Sequence, residues 1–242
     1  MEKILLYLLY KFNYSWDDVY SAIQNNKRVP MSEVNKYADT LKINYITIIE
    51  KDYPTYLTHV FKPPFAIFYH GDLNMLEEKI IGVIGKPTTS NIKHLKLLKS
   101  IGYVLCFKKW TLDEQSIKLL VDNNIPSIIC CDDIDKIEKD EKLKELLNYK
   151  NILCVSESYK HDNNLGHLDY YINRIFIGND NPMIIIDESI NKDTGLIAYL
   201  SATKHKTYSV DNHWVQPSFQ RYINSNFIEN SKDLKIVFID KN

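Results

Sequence analysis

The chain has 242 residues, 45% of them apolar and 25% charged, enough for one large α/β domain, with or without a small helical one, around a sizeable core. Thirty Lys and Arg stand against 31 Asp and Glu, a formal net charge of −1, which excludes global basicity as a route to polyanions and leaves only local patches. The apolar run of MEKILLYLLYKF is too short to span a bilayer and FNYSWDDVY offers no small-residue cleavage site, so a cytoplasmic protein without membrane contact is expected.

Residues 1–42 read as helices. Ile4, Leu5, Leu8, Leu9 and Phe12 recur at helical spacing; Ser15 with Asp17 and Asp18 starts a second helix, and Ser32 with Glu33 a third. They are expected to form a small domain of their own, followed by a Rossmann-like domain over 43–242. INYITII (43–49) is β-branched and predicts a strand, DYPTYLTHV a turn and a short helix, and KPPFAIFYHGD a strand closed by a Gly-Asp turn. From residue 79 short apolar runs alternate with amphipathic ones. KIIGVIG, YVLCF, PSIICC, NILCVSE, MIIIDES and KTYSV predict strands; NIKHLKLLKSIG, LDEQSIKLLVDNN, DKIEKDEKLKELLNY, GHLDYYINRIFIGND and GLIAYLSATKH predict the helices between them. That alternation implies an α/β fold with a mostly parallel sheet and helices on both faces. Asp211 to Ser231 reads as irregular, and LKIVFID as a closing strand.

The four cysteines, Cys106, Cys130, Cys131 and Cys154, show no CxxC and no Cys/His pairing at zinc spacing, so buried reduced thiols are expected and no metal. No G-x-S-x-G, HExxH or paired catalytic carboxylates appear; no catalytic residue and no cofactor is assigned, and the histidines, His94 among them, read mostly as surface residues.

Three constellations could meet a polyanion. In IIGVIGKPTTS, Gly85 lets backbone approach a ligand, Lys86 supplies charge, and Thr88, Thr89 and Ser90 supply hydroxyls and a helix cap, at a strand end where open α/β sheets bind ligands. The alternative is a plain capped strand-helix turn. In YYINRIFIG, Asn173 and Arg174 interrupt an apolar helix; Arg174 either pairs with a carboxylate such as Glu157 or Glu188 or faces a phosphate. In IIIDESINKDTGLIA, acidic groups end a strand and Thr194-Gly195 opens a helix, as an anion site or a cap. The run Phe107-Lys108-Lys109-Trp110 mixes cations with aromatics and could stack bases and touch phosphates, or pack as an ordinary loop.

In order, these pieces resemble the DNA-processing protein A (DprA/Smf) family. DYPTYLTHVFKPPFAIFYHGDLNML carries its Tyr53-Pro54, Leu57, Pro63-Pro64, Phe68-Tyr69 and Gly71-Asp72 pattern; CVSES, INRIFIGND and IIIDESINKDTGLIAYLSA are similar to its later motifs. The resemblance spans about residues 43–240. It implies single-stranded DNA binding in a local basic pocket, with Gly85, Lys86, Thr89, Ser90, Lys108, Lys109, Asn173 and Arg174 as phosphate-binding residues, a role accessory to recombination and DNA uptake, a RecA-type recombinase as partner, and a homodimer. The departures are as specific. The family's Gly-Ser-Arg turn reads Gly85-Lys86-Pro87, its second glycine-rich loop reads CFKKWTLDE with Asp113 kept, and its following His aligns near Ile117. They keep open a scaffold that has lost DNA binding and acts through protein contacts. A nucleoside-monophosphate hydrolase of the lysine-decarboxylase-like group is disfavoured, because NKDTGLIAY lacks that group's double glycine and Glu.

Overall fold

In the computed structural model, residues 1–140, 144–160, 168–178, 181–187, 196, 200, 206–210 and 225–227 are described. The chain opens with helices α1 (Glu2–Lys11), α2 (Trp16–Gln24) and α3 (Met31–Ala38). Strand β1 (Asn44–Thr47), the helical turn α4 (Thr55–Thr58) and β2 (Ala66–His70) follow. Then come β3 (Ile80–Ile84), α5 (Ile92–Ser100), β4 (Val104–Lys108), α6 (Glu114–Asp122), β5 (Ser127–Cys130), α7 (Ile134–Lys139) and β6 (Ile152–Ser156). Helix α8 (Leu168–Ile177) leads to β7 (Met183–Ile185), β8 (Thr207–Ser209) and β9 (Ser225–Phe227).

The strands form one sheet in the order β1-β2-β6-β5-β4-β3-β7-β8-β9. Strands β3 to β9 pair in parallel; β1 and β2 form an antiparallel hairpin whose β2 pairs antiparallel with β6. From β3 the chain winds one way through β4, β5 and β6, then returns to the other side of β3 for β7 and β8. The switch point of the topology therefore lies at the carboxyl ends of β3 and β7, where open sheets of this kind leave a crevice.

The apolar runs fill three packed regions. On one sheet face Ile84, Val104, Cys106, Ile128, Cys130, Leu153 and Val155 meet Ile172, Ile175 and Phe176 of α8 and Leu57 of α4. On the other, Ile81, Val83, Leu105 and Phe107 meet Leu95 and Leu98 of α5 and Leu120 of α6. Beside that second region, Leu6, Leu9, Val19 and Val34 of α1–α3 pack with Phe68, Ile129, Ile152 and Cys154 of the sheet. Trp16 Nε1 donates to the Pro63 carbonyl at 2.8 Å, and the Tyr14 hydroxyl donates to the Tyr159 carbonyl. The apolar stripes of these three short helices are covered by sheet residues as well as by one another.

Three sequence expectations change. The run 135–149 predicts one helix; α7 ends at Lys139 and extended backbone at Asp140 breaks it, with a separate 3-10 turn at Glu145–Asn148. His94 is buried within α5. Within the stretch read as irregular, Ser225–Phe227 is a strand; LKIVFID and most of GLIAYLSATKH lie outside the described residues. All four cysteine thiols are free and buried.

Candidate functional site

The turn after β3 stands at the switch point. Gly85 has φ +124, and a Cβ there would lie 2.6 Å from Asp187 Oδ1 and 2.9 Å from the Asp187 backbone nitrogen. Only a residue without a side chain lets Asp187, just past β7, come so near. Asp187 Oδ2 accepts from the Lys86 backbone N–H at 2.6 Å. Asn91, which caps α5, accepts from the Thr88 N–H at 2.8 Å and donates to the Lys86 carbonyl at 2.9 Å. Thr88 and Ser90 hydroxyls lie 2.8 Å apart, and Thr89 and Ser90 are exposed.

The Lys86 ammonium pairs with Asp113, the N-cap of α6, whose Oδ1 also accepts from the Ser116 N–H at 2.9 Å. Lys86 and the Ser116 N–H hold the Asp113 carboxyl down at about 2, below its ordinary 3.8. The backbone donor and the side-chain cation of the Gly85-Lys86 turn thus each face a carboxylate.

At the end of the neighbouring strand β4 the two lysines diverge. Lys108 is 2% exposed; its ammonium lies 5.0 Å from the Trp110 ring centre and 5.5 Å from that of Phe176 on α8. It is roofed by aromatic rings, which attract a cation through their quadrupole. Lys109 is half-buried and Trp110 is 48% exposed. Burial pushes the Asp132 carboxyl up, but Lys136 in a 2.6 Å ion pair and, more weakly, Lys109 pull it below the ordinary range.

Arg174 takes the carboxylate of its two open partners. It is 1% exposed; its Nε donates to Glu157 Oε1 at 2.6 Å, its Nη2 to Glu157 Oε2, and its Nη1 to the Lys62 carbonyl. Burial pushes the Glu157 carboxyl up while the Arg174 guanidinium pulls it down. Asn173 is buried as well, and its Oδ1 finds no hydrogen-bond partner among the described residues. Glu157 follows β6, three strand positions from β3, about 14 Å at the usual strand spacing. The eight expected phosphate-binding residues therefore divide. Lys86, Thr89, Ser90 and Lys109 stand at the ends of β3 and β4 with accessible atoms, Gly85 and Lys108 are buried at the same edge, and Asn173 and Arg174 are inside the protein. Arg174 is thus buried against Glu157 and the Lys62 carbonyl, the carboxylate pairing that the sequence left open beside a phosphate contact.

Sequence reasoning placed Asp187 only as an acidic strand end, and Asp113 only as a retained motif residue. The signal that both serve the Gly85 turn was the adjacency of three strand ends, which a single sequence does not show. Among the described residues, no group of three His, Cys, Asp or Glu side chains is placed to hold a metal, and no helix is long and apolar enough to cross a membrane.

A doubly wound, mostly parallel sheet with a glycine turn at its switch point defines a Rossmann-like protein. Residues 44–111, somewhat over a quarter of the chain, match the model of DNA recombination-mediator protein A. The fold is similar to that of DNA-processing protein A from Streptococcus pneumoniae, with TM-score 0.64 and 15% identity over 96% of this chain and 91% of that one. It is similar too to DNA-processing protein A from Helicobacter pylori, described for its unique single-stranded DNA binding mode, with TM-score 0.61 and 16% identity over 82% and 97%. No curated protein matches the chain.

Proposed function

We propose that this protein binds single-stranded DNA at the carboxyl edge of β3 and β4 and acts by binding, without catalytic turnover, as an accessory to recombination and DNA uptake. The observation that carries the reading is the juxtaposition of two adjacent loops: the Gly85-Lys86 turn with exposed Thr89 and Ser90, and the Lys109-Trp110 step with its half-exposed indole. A strand of bases can stack on Trp110 while its phosphates meet Lys86, Lys109 and the two hydroxyls. The H. pylori relative, with its single-stranded DNA binding mode, supports the choice of ligand. Loading of a RecA-type recombinase and assembly as a homodimer belong to the same proposal.

Few cations are engaged and contacts go to phosphates, so binding should be weak, steeply salt-dependent and nearly independent of sequence. Fluorescence anisotropy of labelled oligonucleotides at low salt tests it. Lys109→Ala and Trp110→Ala should each weaken binding; wild-type affinity in both would remove this edge from the interface.

A second reading has its own observation. Asp187 and Asp113 already satisfy the Lys86 N–H and ammonium, as expected of a scaffold that has given up its DNA. Absence of binding by the wild-type chain at low salt would favour it.

A further inference from the structure

We infer that Asp113 and Asp187 are resident anions of the Gly85-Lys86 turn, which any nucleic-acid phosphate must displace, and that they set how weakly this chain holds single-stranded DNA. The inference rests on the proposed DNA reading and names the residues that tune it. A turn of this form offers an incoming phosphate two things, a backbone N–H and a lysine ammonium. Asp187 Oδ2 takes the first at 2.6 Å, and an Asp113 oxygen takes the second.

The two carboxylates come from different elements. One follows β7 and the other precedes α6, and they converge on one residue from opposite sides of β3 in the sheet order. Neither interaction is buried in an apolar core. The Lys86 and Asp113 side chains are 43% and 47% exposed, so water and solutes reach the pair and displacement is physically open. Asp113 can release the lysine without unfolding α6, since its Oδ1 keeps the Ser116 N–H and hydroxyl at 2.9 and 2.8 Å.

The consequence for binding is specific. A phosphate that takes Lys86 from Asp113 sheds a counterion while the freed carboxylate attracts one, so the net release, and with it the salt dependence from this lysine, is reduced. Freed of Asp113, the same lysine contributes both affinity and salt dependence.

The test compares anisotropy isotherms of a labelled mixed-sequence single strand for the full chain, Asp113→Asn and Asp122→Asn over a salt series. Asparagine caps a helix as well as aspartate does, so Asp113→Asn keeps α6. Asp122, exposed at the far end of the same helix, controls for net charge. Asp113→Asn should bind more tightly by up to about fivefold, the upper end of an exposed ion pair's worth. Its log K against log salt should be steeper by about 0.7, one additional single-strand phosphate. Asp187→Asn, read the same way, should also tighten binding. Equal affinity and slope for wild type and Asp113→Asn overturn the inference while leaving DNA binding standing. An equal gain from Asp122→Asn overturns it as a mere charge effect. No binding by any variant at low salt overturns it together with the DNA reading.

Discussion

Replacing Arg174 with alanine separates a structural role from a DNA contact in one sample. The substitution removes a guanidinium that donates twice to Glu157 and once to the Lys62 carbonyl, all within a region where Arg174 is 1% exposed. Glu157 is left as a buried carboxylate without its cation, and the Lys62 carbonyl without that donor. Orphaning one member of a buried pair costs about 3–5 kcal/mol. Total stability of a domain is about 5–15 kcal/mol, so the variant should fold but marginally. For a chain of this size each kcal/mol lowers the melting temperature by about 2–4 °C, giving a fall of about 6–20 °C. Thermal melts by circular dichroism measure this. Arg174→Lys should not restore stability, because an ammonium cannot reproduce the two-pronged geometry. Arg174→Met with Glu157→Gln should recover most of it, because no charge is left buried. DNA affinity of the folded Arg174→Ala protein should stay near wild type. A melting temperature within about 2 °C of wild type, or a folded variant that has lost DNA binding, would refute the structural assignment.

Deleting residues 1–42 should give an insoluble or molten product, because it uncovers Phe68, Ile129, Ile152 and Cys154; a soluble, cooperatively melting remainder would show that the helices are dispensable. Gly85→Ala should destabilise by about 1–3 kcal/mol, since it sets an alanine at φ +124 with its Cβ against the Asp187 carboxylate, and urea denaturation reads the loss. The Asp113 carboxyl, at about 2 in the folded chain against 3.8 ordinarily, binds fewer protons folded than unfolded between those values. Its contribution to stability is therefore present above about pH 4 and lost as pH falls towards 2; Asp113→Asn should flatten the stability curve in that window.

Much of the sheet was legible because a parallel strand buried on both faces is a continuous apolar run, as in IIGVI, VLCFK and ILCVS, and the helices between them carry a periodic stripe. The hairpin of β1 and β2 was legible as strands but not as an antiparallel edge, since direction is set by pairing with β6 and not by composition. For α1–α3, a stripe such as Leu5, Leu8 and Leu9 announces that it will be covered, not by what; Phe68 and Ile129, which share its buried cluster, lie far along the chain. The site was legible at Gly85 and Lys86 from strand-turn-helix chemistry. Arg174 stayed open because an arginine in an apolar helix suits a buried carboxylate and a phosphate equally, and only the approach of β6 brings Glu157 to it. Lys108 and Lys109 look alike in the sequence; the strand ends between them, turning one ammonium under Trp110 and Phe176 and leaving the other at the surface.

If the ends of β3 and β4 form a single-stranded DNA interface, a salt titration of binding by wild type and by the Lys86→Ala/Lys109→Ala double variant must separate the two proteins. Wild type should bind at low salt with a log K that falls linearly with log salt, independent of sequence, and the double variant should be weaker and less salt-sensitive, each lost phosphate contact removing up to about 0.7 from the slope. Superimposable isotherms and slopes for the two proteins would contradict it.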